Sequence, residues 1–186
     1  DPLFPPGSAF SYCNLCSVTL ALLIERVTGE HYLKVVRERV GLPADVSLRP
    51  ARLADWRGRA IGYRRAGGKL ERADSYEGEI FYGTANFSIS AQQLALWGTG
   101  WWQSSLAPVL HERTTTATIA GKSSGLSWGN WYCARDRRRC HYLGHHEGFH
   151  HMLYWNADRR ISVAMVSNNT LAPSLQQRLQ RALVAF

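Results

Sequence analysis

An α+β domain is the fold class this sequence predicts, and three observations point to it. Early in the chain, Leu15, Val18, Leu22, Leu23, Ile24 and Val27 recur at helical spacing. Beyond Gly125 the texture changes to short strand-like runs at 126–133, 140–144, 149–155 and 161–167. The chain then closes on 173–186, where Leu175, Leu179, Ala182, Leu183 and Phe186 share one helical face, as in a helix laid on a sheet. Helices, then an antiparallel meander, then a helix make an antiparallel sheet packed with helices. One domain over 1–186 is expected, mainly helical to about 120, with the sheet strands and final helix over about 121–186.

Pro5-Pro6-Gly7-Ser8 is a turn cluster that gives way to the first helix, over 14–28, with Gly29 as its cap. A second helix is expected over 32–39, stopped by Gly41 and Pro43. Residues 59–70 alternate weakly around Ala66-Gly67-Gly68, a hairpin turn. Ser90 and Gln93 form a capping box, in which the hydroxyl takes one orphan N–H and the amide reaches back to another. A helix through Trp97 follows, with a break expected around Gly98 to Gly100 and a continuation to Leu110. The later strands turn at the Arg-rich cluster 135–139 and at Asn156-Ala157-Asp158-Arg159.

The totals exclude several classes. The chain has 186 residues, 45% hydrophobic and 19% charged, which is globular composition with enough length for a core. Nothing repeats at a solenoid period. No apolar run approaches the roughly 18 residues a membrane helix needs. The net charge of +8 raises nucleic acid as a partner. Its densest cluster, Arg135-Asp136-Arg137-Arg138-Arg139, lies between Cys133 and Cys140 and reads as a solvated hairpin tip, and no nucleic-acid-binding module is recognisable. No nucleic-acid partner is expected.

Four cysteines allow three connectivities. Cys133 and Cys140 flank the Arg-rich turn and could face each other across paired strands, a bridge that would point to an oxidising compartment. Cys13 and Cys16 spell C-x-x-C, but no strand pattern precedes them, so they read as small core-facing residues at a helix start. The chain begins with Asp1, and Asp1-Pro2-Leu3-Phe4-Pro5-Pro6-Gly7 reads as the middle of a loop. We therefore expect a fragment, incomplete at its amino-terminal side.

His146-Glu147-Gly148-Phe149-His150 spells the H-E-x-x-H of zinc proteases. On a helix the two imidazoles lie about 5–6 Å apart at Cβ and converge on one ion. On a strand four steps separate them by about 13 Å. Gly144 and Gly148 bracket the stretch, and a mid-helix glycine costs about 1 kcal/mol. The residues that follow lead into a turn and a β-branched run, and no Glu after Glu147 or His after His151 supplies a third ligand. A strand is expected here, with no metal and no cofactor.

Taken together, Phe4-Pro5-Pro6-Gly7-Ser8-Ala9-Phe10-Ser11-Tyr12-Cys13-Asn14 and the helix ending Val27-Thr28-Gly29 resemble the serine β-lactamase and penicillin-binding-protein superfamily. The likeness is to the branch of class C β-lactamases, D-alanyl-D-alanine carboxypeptidases and related esterases, where a proline-glycine turn leads into Tyr-x-Asn. Later landmarks follow in order: Phe87 to Leu94 resembles the capped helix after the family's glycine-rich loop. Ser124-Gly125-Leu126-Ser127-Trp128 resembles a strand opening, and Glu147-Gly148-Phe149-His150 with Asp158 to Asn168 resembles the closing strands. The pieces are weak singly, but their order and spacing span nearly the whole chain.

This resemblance implies a β-lactamase/transpeptidase-like fold and a serine acylated by an ester or amide, with release of the acyl group to water or another acceptor. The S-x-x-K that carries the serine lies before Tyr-x-Asn in the family. Here the residues three before Lys34, Lys69 and Lys122 are His31, Ala66 and Ile119, so this chain has no S-x-x-K. The resemblance makes Tyr12 the proton shuttle and Asn14 a hydrogen-bond partner of the acyl side of the substrate. The competing structural role is an Asn helix cap beside a core Tyr.

For the third motif, usually K-x-G or H-x-G on a strand, counting back from Gly148-Phe149 without a gap gives Tyr142-Leu143-Gly144. Tyr142 and Gly144 then share a strand face, Gly144 leaves room for close approach, and the N–H of His145 supplies half an oxyanion hole. A gapped pairing would use His146-Glu147-Gly148 or begin at His141. Tyr carries no positive charge, which weakens carboxylate binding and tilts the expected substrate from β-lactams and D-Ala termini toward esters. As an ordinary strand aromatic, Tyr142 would need no functional explanation. The resemblance also implies a small-molecule or peptidoglycan-type substrate and a periplasmic or secreted setting. A non-catalytic binding homologue is the alternative from another class.

Overall fold

The computed structural model describes residues 3–5, 8, 11–48, 55, 57–73, 82–85, 87–103, 115–119, 122–126, 132–133, 139–146, 148–169 and 173–184. Helix α1 spans Asn14–Thr28. The Cys13 thiolate or thiol accepts the Cys16 N–H at 3.0 Å as its N-cap, and Gly29, at φ 69°, donates its N–H to the Glu25 carbonyl at 2.8 Å. Only a residue free of Cβ adopts that left-handed φ cheaply, so the helix ends there. Helix α2, Tyr32–Arg39, starts at His31, whose Nδ1 accepts from the Leu33 N–H at 3.3 Å. Arg37 then holds the returning chain through the carbonyls of Ala44 and Val46 at 3.0 and 2.9 Å.

Strand β1, Ser47–Leu48, pairs with β4, Phe87–Ser88. Between them, β2 (Tyr63–Ala66) and β3 (Lys69–Arg72) form a hairpin. Gly67 and Gly68 both have positive φ, at 56° and 80°, the demand of a two-residue type I′ turn.

Helix α3, Ala91–Gln103, opens with the reciprocal cap: the Gln93 N–H donates to Ser90 Oγ at 3.2 Å and the Ser90 N–H to Gln93 Oε1 at 3.0 Å. Contrary to expectation, α3 runs through Gly98 and Gly100 without a break. The reason is tertiary. A Cβ on Gly98 would meet Ser162 Oγ at 2.6 Å and Leu153 Cδ1 at 2.9 Å, so the glycine lets the helix lie close on the sheet. The proposed extension to Leu110 falls outside the described residues.

Six antiparallel strands follow in the order β10-β9-β8-β7-β6-β5. They are β5 (Thr115–Ile119), β6 (Lys122–Leu126), β7 (Tyr132–Cys133), β8 (Arg139–His146), β9 (Phe149–Asn156) and β10 (Ile161–Ser167). The run expected at 126–133 divides between the end of β6 and β7, and β5 precedes the boundary drawn near 120 from the sequence. Helix α4, Pro173–Val184, closes the chain where the apolar face was read. The Arg-rich tip at 134–138 lies outside the described residues. Beside it Cys140, opposite Cys133 in the ladder, is disulfide-bonded.

The core sits where α3 meets β9 and β10: Leu94, Cys140, Leu153 and Trp155 form it, with Ile89, Trp97 and Ala164 against it. Neighbouring residues on a strand face opposite ways, yet Met152 to Asn156 of β9 are all buried, so both faces of this strand are covered. Full burial of one such side chain contributes roughly 1.5–3 kcal/mol. The Trp97 Nε1–H donates to the Val40 carbonyl at 3.3 Å and ties α3 to the end of α2.

Segment 61–63 pins the far end of the sheet. Tyr63 N–H donates to the Asn168 carbonyl and Asn168 Nδ2 to the Ile61 carbonyl, both at 2.9 Å. Gly148, at φ 71°, turns the β8–β9 hairpin against the same segment, where a Cβ would meet Tyr63 N at 2.6 Å.

Candidate active site

Tyr12 and Asn14 stand at the entry to α1. The Tyr12 hydroxyl donates to Asn14 Oδ1 at 2.6 Å, and both residues are exposed. Neither competing structural role is filled, because the cap of α1 is Cys13 and Tyr12 is 59% exposed rather than core. The Cys13–Cys16 expectation needs correction: both cysteines are free, Cys16 is exposed, and Cys13 serves the helix end instead of the core. The hydrogen bond from Cys16 draws the Cys13 thiol below its ordinary pKa and raises that of Cys16.

Tyr142, Gly144 and His145 lie on β8. Alternation puts Tyr142, Gly144 and His146 on one face, opposite Leu153, His151 and Phe149 of β9. The other face carries His141, Leu143 and His145, opposite Tyr154, Met152 and His150. Leu153 belongs to the core under α3, so Tyr142 and Gly144 continue that face toward the hairpin tip. Among the described residues the β7 ladder reaches only Cys140 and His141, and Tyr142 to His146 run beyond it.

Aromatic rings fill the tip of the hairpin on both faces. Tyr142 stacks on His151, centroids 6.0 Å apart and planes 24° from parallel. On the opposite face His145 meets His150 edge-on, at 5.2 Å. A Cβ on Gly144 would fall 1.8 Å from His151 Nε2 and 2.1 Å from its Cε1. The room left by this glycine is thus taken by an imidazole, and a ligand approaching that spot meets His151 before it meets backbone. Burial lowers the pKa of His151, with help from His150 and His145, and also lowers those of His150 and His141. Burial thus disfavours the charged form of each.

Both histidines of the H-E-x-x-H stretch lie on strand, as expected, but they belong to two paired strands, β8 and β9, rather than one. His146 pairs with Phe149 and His150 with His145, so the two histidines leave opposite faces of the sheet and do not converge on one ion. Glu147 lies outside the described residues.

The predicted residues therefore form two groups, Tyr12 with Asn14 at the α1 entry and Tyr142, Gly144 and His145 on β8. His151 is the one sequence reasoning missed. The β8–β9 register, with His146 opposite Phe149, brings Gly144 opposite His151.

Comparison with known proteins follows the same lines. A family model described as Beta-lactamase matches residues 1–185. None of the curated proteins matches the chain. Among solved structures, one described as SurE is 23% identical with a TM-score of 0.75, over 100% of this chain and 47% of that one. A D-stereospecific amidohydrolase from Streptomyces sp. is 22% identical with a TM-score of 0.64, over 91% of this chain and 53% of the other. At such identities the likeness shows the fold, antiparallel sheet with helices, and this chain spans about half the length of each.

Proposed function

Because the chain belongs to the β-lactamase family, we propose that it is the C-terminal part of a serine hydrolase acting through an acyl-enzyme on esters or amides. The observation that carries this reading is the Tyr12–Asn14 pair, exposed at a loop-to-helix entry and joined by a 2.6 Å hydrogen bond. A phenol so placed and free to face solvent suits proton transfer better than packing. The amidohydrolase with the same fold supports acyl chemistry of this kind.

In the proposed reaction a serine upstream of this chain attacks the carbonyl carbon. Tyr12 relays its proton, giving the phenol's own to the leaving alcohol or amine as it takes that of the serine, and water then attacks the acyl-serine ester, releasing the acid and regenerating the serine. Asn14 donates its amide to the acyl side. Tyr142 offers a hydroxyl from β8, Gly144 makes room for the His151 ring that a ligand meets there, and the His145 N–H provides one oxyanion donor. The two groups of residues line one cleft in this reading.

Tyr142 brings no positive charge, and burial disfavours charge on His151 and His141. Small neutral esters are therefore favoured over substrates held by a carboxylate, although peptidoglycan-type amides remain in the class. A periplasmic or secreted setting accords with the disulfide at Cys140, and no described helix is long and apolar enough to cross a membrane. No nucleic acid and no cofactor enter the proposal.

Burst kinetics with p-nitrophenyl butyrate and nitrocefin test it. The 186-residue chain is expected to be inert. The gene product extended upstream through its S-x-x-K should show an acylation burst, slowed about 10²–10⁴-fold by Tyr12→Phe. Turnover by the shorter chain, or a Tyr12→Phe variant as fast as wild type, would overturn the assignment. An upstream sequence without S-x-x-K would favour the binding homologue.

A further inference from the structure

Gly144 and His151 are directly opposed in the β8–β9 ladder, and the imidazole reaches across to cover the glycine. Its Nε2–Cε1 edge is the part nearest Gly144, so the ring's polar edge lies over β8. Tyr142, two residues back on the same face, stacks against it. Val166 continues this row on β10, where it pairs with His151 and is exposed. Among the described residues no hydrogen bond reaches either ring nitrogen of His151. A neutral imidazole carries one N–H, and the ring nitrogens of His151 are not among the buried polar atoms left without a partner, so a ligand oxygen would replace water on that N–H.

We propose that His151 is a substrate-binding residue of this site, its ring N–H donating to an oxygen of a neutral ester or amide where the family resemblance would place a strand cation. The inference rests on the acyl-hydrolase reading above. It adds, from the next strand, a second neutral donor beside the Tyr142 hydroxyl. Burial and the neighbouring His150 and His145 disfavour charge on the ring, which matches a neutral acceptor better than a carboxylate.

The competing role is structural, an aromatic ring shielding a strand glycine. Two substitutions separate the roles because they move in opposite directions. His151→Phe keeps the ring, the cover over Gly144 and the stack on Tyr142, but has no donor. His151→Gln keeps an N–H near the reach of Nε2 and loses the ring. In the gene product extended through the upstream serine, His151→Phe should lower kcat/KM for p-nitrophenyl butyrate about tenfold while keeping the thermal midpoint. His151→Gln should recover most of that loss, within about threefold of wild type, even with a lower midpoint.

The reverse pattern, an active Phe variant or a Gln variant as impaired as Phe, overturns the proposal. If His151→Phe does not fold, the Gln variant decides by the same threefold limit. Tyr12→Phe run alongside keeps the two readings apart. A burst that needs Tyr12 but ignores His151 leaves the hydrolase and removes His151, whereas a burst indifferent to Tyr12, or none in wild type, removes both.

Discussion

Strand β9 and helix α1 are both rich in apolar residues, and the fold treats them differently. Met152, Leu153, Tyr154 and Trp155 of β9 are at most 6% exposed, whereas Leu15, Leu20, Leu22, Leu23 and Val27 of α1 are 52–76% exposed. The strand lies between β8 and β10 with α3 across one face. The helix is held through fewer points, among them α2 and Gly83, where a Cβ would meet the Ser17 carbonyl at 2.6 Å. A helix that is apolar on several sides belongs inside a larger protein. Strand β9 is thus covered by its described neighbours, while α1 leaves apolar side chains exposed.

The largest effect should come from the sheet. Trp155→Ala removes the biggest side chain of the core cluster and leaves a cavity beside Leu94 and Leu153, so urea denaturation should register a loss of about 3–5 kcal/mol. Leu22→Ala on the exposed helix, under the same assay, should cost well under half of that. Equal losses at the two positions would break the contrast, since they would mean that α1 is packed as tightly as β9.

The same contrast explains what could be read from the sequence. Both bounds of α1 and α2, the Ser90–Gln93 box and the Gly67-Gly68 turn are local devices, each legible within a few residues. The course of α3 through Gly98 was not, because the partners that require the glycine, Leu153 and Ser162, lie far downstream. Strands β5 and β6 were hidden for another reason: Lys122-Ser-Ser-Gly-Leu126 has no alternating apolar residues, and its pairing with Thr115–Ile119 does the work that pattern does elsewhere. In the candidate site, Tyr12 and Asn14 could be named from the sequence, but the hydrogen bond between them was not foreseen. The cover of Gly144 by His151 depends on hairpin register, which single-strand reasoning about Tyr142 to His145 does not reach.

A second prediction concerns how α1 is held. Glu25 accepts from the Tyr82 hydroxyl, takes the Tyr32 N–H at 2.8 Å, and has His31 at 3.9 Å. These partners, Tyr82 first, lower its carboxyl pKa, and the same bond together with burial raises that of Tyr82. A depressed carboxyl contributes stability that is present above its unfolded pKa, near 4.5, and is lost as pH falls through the lower folded value. The thermal midpoint of wild type should therefore exceed that of Glu25→Gln at neutral pH, with the gap closing on acidification below about pH 4. A gap that stays constant through that range would show that the carboxylate charge is not what anchors the helix.

The smallest effect on stability, and the sharpest test of the comparison, belongs to the exposed side of α1. Leu15 and Val27 are 72% and 76% exposed, so replacing both with serine removes little packing from this chain. The double variant should unfold within about 0.5 kcal/mol of wild type, as surface changes do. Its solution behaviour should change more. Apolar residues left open on one helix favour association, so light scattering should find the wild-type 186-residue chain more self-associated than the variant, with more ANS bound. A variant destabilised by about 2 kcal/mol or more would place these side chains in a core of this chain, and α1 would then need no larger fold around it.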